Sequence, residues 1–160
     1  MKAHDLDMNF SLPQRVSDFA AEVKAFVIEK VIPFEKDERW TSHGPTDDLR
    51  RELNDLARKA GVFAPHAPKE YGGRELSHIG QAAVFTAAGY SMLGPIALHC
   101  AAPDEGNMHL LDKVGRPDQR EQYLKPLATG VSRSCFCSRS CTGMSSTVIF
   151  MRHAMSTPTA

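Results

Sequence analysis

Three cysteines near the C-terminus are the residues whose types and spacing most directly suggest chemistry. Cys135, Cys137 and Cys141, together with His153, could supply four zinc ligands. Structural zinc sites favour two or more residues between paired cysteines, and here a single residue separates the first two. The spacing therefore favours solvated thiols or thiols packed in a core, and no metal ligands are predicted. A metal titration combined with thiol counting discriminates between the two interpretations.

Histidines and carboxylates form the other groups that could act in catalysis. The seven histidines show no metalloprotease or catalytic-triad spacing, and we expect most of them on the surface or at helix ends: His4, His43, His66, His78, His99, His109 and His153. Glu70, Asp104 and Glu105 are interpreted as loop and helix-cap groups rather than as acid–base pairs. The sequence therefore predicts no catalytic residue.

The composition narrows the class of protein and its partners. A chain of 160 residues, 42% of them hydrophobic, suits one globular domain with a single core. The nineteen basic and nineteen acidic residues cancel, which argues against binding of nucleic acid or an anionic membrane. No secretory signal is visible, and no apolar run reaches the roughly 18 to 20 residues of a membrane helix. We expect a cytoplasmic chain with reduced thiols and no membrane span.

A change in composition divides the chain near residue 131. All nineteen acidic residues precede this point, whereas eleven of the last thirty residues are serine or threonine. The sequence thus predicts a short N-terminal extension at residues 1–9, a domain at residues 10–130, and an irregular or weakly structured tail rich in Ser, Thr and Cys at residues 131–160.

Stripes of apolar residues at three- and four-residue steps predict helices throughout the domain. Ser11 and Pro13 signal the start of the first helix, and Pro33 marks its end or a kink. The apolar positions of this helix are Val16, Phe19, Ala20, Val23, Phe26, Val27 and Val31. Because these side chains lie on one face, the helix needs packing partners.

Further signals delimit the remaining helices. Thr46 and Ser77 are candidate N-caps, and Gly61 is a candidate left-handed C-terminal cap. Prolines and a glycine pair predict an ordered loop over 62–73, and Pro103 interrupts the helical stretch over 95–114. No segment before 131 alternates as a half-buried strand does. The prediction is an all-α bundle of four to six helices.

Four features in order resemble the helical N-terminal domain of the acyl-CoA dehydrogenase family. They are the opening helix that ends at a proline, the turn at Gly61-Val62, the loop Pro68-Lys-Glu-Tyr-Gly-Gly73, and the segment from Gly115-Arg-Pro-Asp-Gln to Leu127-Ala-Thr-Gly130. Each feature alone is weak, but together at these spacings they are specific. The resemblance covers roughly residues 10–137, and within the family it is nearest to the branch active on longer acyl chains.

The resemblance implies a three-domain FAD enzyme that removes the α and β hydrogens of an acyl-CoA thioester, as a homodimer or homotetramer. A glutamate takes the α proton and the flavin takes the β hydride. In the family this glutamate belongs to a C-terminal helical domain. A polypeptide of these 160 residues is therefore expected to be inactive by itself and to bind FAD weakly or not at all.

Candidate site residues follow from the same resemblance. Leu98, Ala102 and Gly106 match positions where the family's helix lines the acyl-chain tunnel, although simple helix packing explains them equally well. Phe136 and Cys137 match the start of the strand that contacts the flavin.

The residues after Cys137 depart from the family pattern. A T-E-P phrase is expected there, and the chain reads Ser138-Arg-Ser-Cys-Thr142 instead. We interpret the segment after 137 as foreign to the family, as in a frameshifted reading frame. Two alternatives to an enzyme domain stay open: a helical module that associates with intact homologues through its apolar faces, and a remnant without a function.

Overall fold

The computed structural model describes residues 11–141 and 144–153, with side chains for residues 11–135. Six helices occupy most of the described chain. They are α1 (Gln14–Phe26, continued by a π-helical turn Val27–Val31 and a 3-10 turn Ile32–Lys36), α2 (Asp47–Lys59), α3 (His78–Ala88), α4 (Gly94–Ala97), α5 (Asp104–Val114) and α6 (an α-helical start Pro117–Gln119, a π-helical turn Arg120–Leu124 and an α-helical end Lys125–Ala128). The predicted all-α bundle of four to six helices is confirmed.

Capping side chains start two helices where the sequence predicts them. The Thr46 side chain accepts a hydrogen bond from the Leu49 N–H at the start of α2, and the Ser77 side chain accepts from the Gly80 N–H at the start of α3. Each cap satisfies a first-turn N–H that has no partner within its helix. At α1 the N-cap is Pro13 rather than Ser11, and its carbonyl accepts from Val16 and Ser17.

Helix α1 ends through two changes of helix type rather than with an abrupt break at Pro33. The backbone changes from α-helical to π-helical at Val27 and to 3-10 helical at Ile32, and Pro33 lies in the first turn of the 3-10 segment. A proline has no N–H to donate, so it is tolerated at the start of a new helical segment. The chain leaves the helix after Lys36.

Two clusters of buried side chains form the core. The larger one joins α1, α2, α3 and α4, and the half-buried Trp40 packs against it. The smaller one joins the loop after α2 to α5 and α6 through Ala64, Ala67, Met108, Leu124, Leu127 and Ala128. Phe63 contacts both clusters. The helices of the first half and of the second half therefore meet at the loop that follows α2.

Two hairpins lie outside the helices, and the sequence predicted neither. Strands β1 (Trp40–Thr41) and β2 (Gly44–Pro45) form a small antiparallel pair before α2. Strands β3 (Ser132–Cys141) and β4 (Met144–His153) pair antiparallel from Ser132 opposite His153 to Cys141 opposite Met144. The expected irregular tail is therefore wrong over these residues. The prediction failed because segments rich in serine and threonine show little periodicity of apolar residues. The threonine, valine, isoleucine and phenylalanine residues of β4 nevertheless favour strands.

The loop between α2 and α3 is ordered, as predicted, by close backbone packing. Gly61 has a φ of 70°, the left-handed conformation expected of a helix C-terminal cap. A Cβ atom built on Gly73 would lie 1.6 Å from the Ala67 carbonyl oxygen. The backbone at Gly73 therefore approaches the backbone at Ala67 too closely for any side chain at position 73. The loop thereby holds its position against α3 and α5.

Candidate functional site

Buried polar side chains join helix α5 to strand β3. The Asp104 carboxylate is 5% exposed, and its Oδ1 accepts hydrogen bonds from the Ser134 backbone N–H and from the Ser134 hydroxyl, both at 2.7 Å. The Asn107 Nδ2 donates to the same hydroxyl at 2.8 Å. These three residues, which we call the α5–β3 joint, bring together positions about thirty residues apart in sequence. Hydrogen bonds to a buried carboxylate are among the stronger ones in proteins.

Charge at the α5–β3 joint is only partly compensated. Arg133 Nε lies 3.6 Å from Asp104 Oδ2, and this arginine is half exposed. Asp104 also begins α5, where the helix dipole favours a negative charge. The Asn107 Oδ1 is buried and has no hydrogen-bond partner among the side chains and backbone groups that the structure describes. The joint is therefore a defined electrostatic feature inside the domain rather than a solvated cap.

The candidate substrate residues do not share one environment. Leu98 is fully buried in the larger core cluster, where its carbonyl accepts from the Ala64 N–H at 2.8 Å. Ala102 is exposed just before α5, and Gly106 is half-buried one turn into that helix. Leu110 and Val114 continue the Gly106 position along α5 at four-residue steps and are exposed. Ala102 and Gly106 are thus accessible from outside, whereas Leu98 is enclosed.

The candidate flavin residues lie in the middle of β3. Phe136 pairs with Ile149 and Cys137 with Val148 of β4. Strands β3 and β4 form a two-stranded sheet, so among the described strands β3 has a neighbour on one edge only. A flavin ring system needs walls on more than one side. Among the described strands, β3 and β4 alone do not enclose such a ring system.

His99 lies at a helix end, just after the C-cap of α4, and it is buried rather than solvated. Its ring stacks on Phe63 with centroids 5.2 Å apart, and Nε2 lies 2.8 Å from the Leu127 carbonyl oxygen. The Arg58 guanidinium covers the Phe63 ring at 3.6 Å. Burial lowers the pKa of His99, and the Leu127 hydrogen bond and the Asp104 charge oppose this shift. Such a residue packs as a flat, partly apolar ring with one polar contact.

His66 departs from the surface or helix-end position expected of most histidines. Burial lowers its pKa to about 4, with further contributions from the nearby His99 and His109, so the ring is neutral at pH 7. Both ring nitrogens are buried without a hydrogen-bond partner among the described residues. The ring borders a cavity of about 580 Å³ between the loop, α3 and α5, whose wall also carries His78, Glu105 and His109.

Thiols and metal ligands show no further site in the described region. Burial raises the pKa of the Cys100 thiol to about 12, which makes it unreactive, while Cys135 is exposed. Within the part of the chain whose side chains are described, no three His, Cys, Asp or Glu side chains converge to hold a metal ion. The Cys137, Cys141 and His153 side chains, invoked in the zinc interpretation, lie outside that part.

The α5–β3 joint was the feature that sequence reasoning missed. Asp104 and Asn107 sit three residues apart on α5, so both face the same side of the helix. That spacing was a usable signal, but the partner Ser134 is thirty residues away in a segment without periodicity. None of the described helices is both long and apolar enough to cross a bilayer.

Comparisons with known proteins agree on one family. The family model for the N-terminal domain of acyl-CoA dehydrogenases matches residues 14–131. The probable acyl-CoA dehydrogenase FadE2 of Mycobacterium tuberculosis is 33% identical over 136 residues, covering 81% of this chain. Acyl-CoA dehydrogenase family member 11 of Gallus gallus is 31% identical over 124 residues, covering 72% of this chain.

A solved structure gives the same result in three dimensions. A protein of Mycobacterium abscessus described as an acyl-CoA dehydrogenase superimposes with a TM-score of 0.62 at 28% identity, over 75% of this chain and 33% of that one. The matches span 33% of the length of the M. tuberculosis relative and 16% of the chicken relative. By its family match, its relatives and its fold, this chain belongs to the acyl-CoA dehydrogenase family, in which it corresponds to the N-terminal domain.

Proposed function

We propose that this chain serves as the helical N-terminal domain of an FAD-dependent acyl-CoA dehydrogenase, which oxidises the α,β bond of acyl-CoA thioesters. The single observation that carries this proposal is the family match over residues 14–131. When bound, FAD would supply the acceptor for the β hydride, which carries both electrons of the oxidation. The role left to the residues of this chain is to shape the site and to exclude water from it.

Helix α5 is the proposed wall for the acyl chain. Gly106 is half-buried and has no side chain, and the exposed Leu110 one turn further on offers an apolar surface. Ala102 extends this wall toward the start of the helix, whereas Leu98 is enclosed in the larger core cluster and is assigned no direct contact with the acyl chain. A surface of small and aliphatic side chains favours an apolar acyl chain through the hydrophobic effect.

Strand β3 is the proposed wall for the flavin, through the backbone around Phe136 and Cys137. The α5–β3 joint supports this arrangement, because it fastens the strand to the helix that carries Gly106. Substrate wall and cofactor wall would then keep a fixed relation to each other, as a hydride transfer requires.

We further propose that these 160 residues, taken by themselves, turn over no substrate. Two observations support this part of the proposal: the match spans 33% of the length of the M. tuberculosis relative, and the two-stranded sheet of β3 and β4 does not enclose a flavin by itself. The test is to purify the chain, record its flavin absorbance and assay it with acyl-CoA and an electron-acceptor dye. Stoichiometric flavin together with turnover would overturn this part of the proposal.

Contact with the acyl chain is tested separately. A long-chain acyl-CoA titrated into isotope-labelled protein should shift the backbone amide resonances of Gly106 and Ala102, whereas free CoA should not. Resonances that respond equally to both ligands, or respond to neither, would count against α5 as the acyl wall.

A second candidate is a helical assembly module that associates with intact relatives or with itself. The observation in its favour is the set of large apolar side chains that are exposed in the described domain, among them Met92 and Val114 at 76% and 71% exposure. Size-exclusion profiles with and without FAD separate a folded monomer from an associating domain.

Under either candidate we propose a cytoplasmic location and a reading frame foreign to the family after Cys137.

A further inference from the structure

A groove of about 530 Å³ lies between the start of α1 and the loop that precedes α3. Three cationic side chains line it, Arg15 from the first turn of α1 and Lys69 and Arg74 from the loop, against the single carboxylate of Glu75. The chain as a whole has no net charge. The groove is therefore a local concentration of positive charge on an otherwise balanced molecule.

Among the side chains that the structure describes, these three cations have no acidic partner. Within residues 11–135, no ion pair joins Arg15, Lys69 or Arg74 to a carboxylate. Elsewhere in the domain most arginines are paired, for example Arg120 with Asp112 at 2.6 Å and Arg39 with Asp37 at 2.7 Å. The positive charge of the groove is thus available to a ligand.

The groove is also held in shape. The Arg74 guanidinium lies 3.9 Å from the centroid of the Phe19 ring and donates a hydrogen bond to the Gly61 carbonyl at 3.0 Å. The loop around it is fixed by the close approach of Gly73 to Ala67. A cation fixed before binding loses less conformational entropy when it engages a ligand.

The start of α1 adds to the same field. Its first turn contains no acidic residue, whereas the first turn of α2 contains Asp47 and Asp48. The positive end of the α1 dipole therefore acts in the same direction as Arg15. The half-buried Leu76 gives the groove an apolar wall beside the cations, whereas Val16 and Phe19 line the groove with only 6% and 4% of their surface exposed.

We propose that this groove binds a small organic phosphate with a flat aromatic body, of which a nucleoside monophosphate is the simplest example. Lys69 and Arg15 would meet the phosphate, since guanidinium and ammonium groups form charge-assisted hydrogen bonds to its oxygens. The aromatic body would rest on the apolar wall beside Arg74, whose guanidinium plane also stacks on aromatic rings. This assignment is independent of the acyl and flavin walls at α5 and β3, and its outcome does not depend on theirs.

The test measures binding of adenosine monophosphate to the full 160-residue chain by calorimetry and by amide chemical shifts. We expect saturable binding with shifts at Lys69 and Arg74, and adenosine without phosphate should bind at least about tenfold more weakly. Lys69→Gln and Arg15→Gln should each weaken binding by about tenfold or more, because each removes a charged hydrogen bond.

Lys36→Gln is the matched control, since it removes the same charge from an exposed position outside the groove. It should leave the affinity for adenosine monophosphate unchanged, and thermal melts should show all three variants folded. The assignment is overturned if no saturable binding occurs, if adenosine binds as well as its monophosphate, or if Lys69→Gln and Arg15→Gln bind as tightly as Lys36→Gln.

Discussion

Burial keeps the His66 imidazole neutral, and this makes the free energy of unfolding of the domain depend on pH. Its pKa is about 4 in the folded protein, against about 6.5 in an unfolded chain. Between these values the unfolded state binds more protons, so the free energy of unfolding rises with pH through this window and levels off above about 6.5. The full effect amounts to roughly 3 kcal/mol, lost as the pH falls from 6.5 toward 4.

Replacing His66 by leucine tests this effect. The two ring nitrogens have no partners among the described residues, so His66→Leu removes a desolvation cost without breaking a hydrogen bond. We expect unchanged or slightly higher stability at pH 7 and a flatter dependence between pH 4 and 6.5. Urea denaturation at several pH values measures it, and the exposed His43→Leu serves as control. An equally steep dependence in His66→Leu would assign the effect to other groups, with His99 the first to examine.

At the scale of single residues, sequence reasoning recognised helix caps but not buried polar side chains. Thr46 and Ser77 were predictable because a cap and its N–H partner lie within three residues of each other. The burial of His66 and His99 was not, because the groups that surround their rings come from other elements: Phe85 packs against His66, and the Leu127 carbonyl oxygen contacts His99. A lone histidine in a sequence carries no signal of whether its ring stacks in a core or faces water.

Replacement by alanine should change the free energy of unfolding in opposite directions at Gly73 in the loop and at Gly80 in α3. Gly73→Ala places a Cβ 1.6 Å from the Ala67 carbonyl oxygen in the loop, and we expect a loss of at least about 2 kcal/mol in the free energy of unfolding. Gly80→Ala in α3 meets only ordinary contacts of 3.5 Å or more and gains helix propensity, for up to about 1 kcal/mol of stabilisation. Thermal denaturation of both variants compares them, and a tolerated Gly73→Ala would contradict the close packing of the loop.

We expect the α5–β3 joint to protect β3 from local opening, and we expect its loss to leave the protection of the rest of the fold unchanged. Asp104→Ala removes the acceptor for the Ser134 N–H and hydroxyl, and we expect hydrogen exchange at the Ser134 amide to accelerate by at least about tenfold. Amides of the larger core, such as that of Leu53, should keep their protection. Glu105→Ala is the control, because it removes the neighbouring charge from the same first turn of α5. Equal protection of Ser134 in both variants would show that the strand does not depend on Asp104.

At the scale of elements, the helices could be predicted because their signals are local. Stripes of apolar residues, caps and glycines give the position of each helix within a few residues. The hairpins could not be predicted in this way, since β1 and β2 are two residues long and the pairing of β3 with β4 depends on contacts between segments. The π-helical turns in α1 and α6 likewise leave the apolar pattern almost unchanged.

For the molecule as a whole, the exposed apolar face of α5 predicts association. Val114 is 71% exposed and lies in the last turn of the helix, where a lysine would also suit the helix dipole. We expect Val114→Lys to shift the protein toward the monomer in size-exclusion chromatography without lowering its melting temperature. Gln122→Lys adds the same charge at another exposed position and should leave the elution profile as in the original chain. An unchanged profile in Val114→Lys would place any association elsewhere.

The family of the whole molecule could be predicted from short motifs because each motif fixes a backbone feature. The loop around Gly73 and the segment from Gly115 to Gly130 have the required spacing, and the family match extends over both. The candidate site is different, because a flavin or acyl site is assembled from residues distant in sequence. Leu98 shows this well, since it lies at a position implied to line a tunnel and is fully buried in the core.

Because the core is divided into two clusters, the aromatic residues of the protein can report on the unfolding of each cluster by a different optical signal. Trp40, the single tryptophan, packs against the larger cluster, whereas Tyr71 packs against the smaller one, which contains no tryptophan. Tryptophan emission therefore follows the melting of α1 to α4, and tyrosine absorbance includes a signal from the region around α5 and α6. If the two signals change at different denaturant concentrations, the halves of the domain unfold as separate cooperative units.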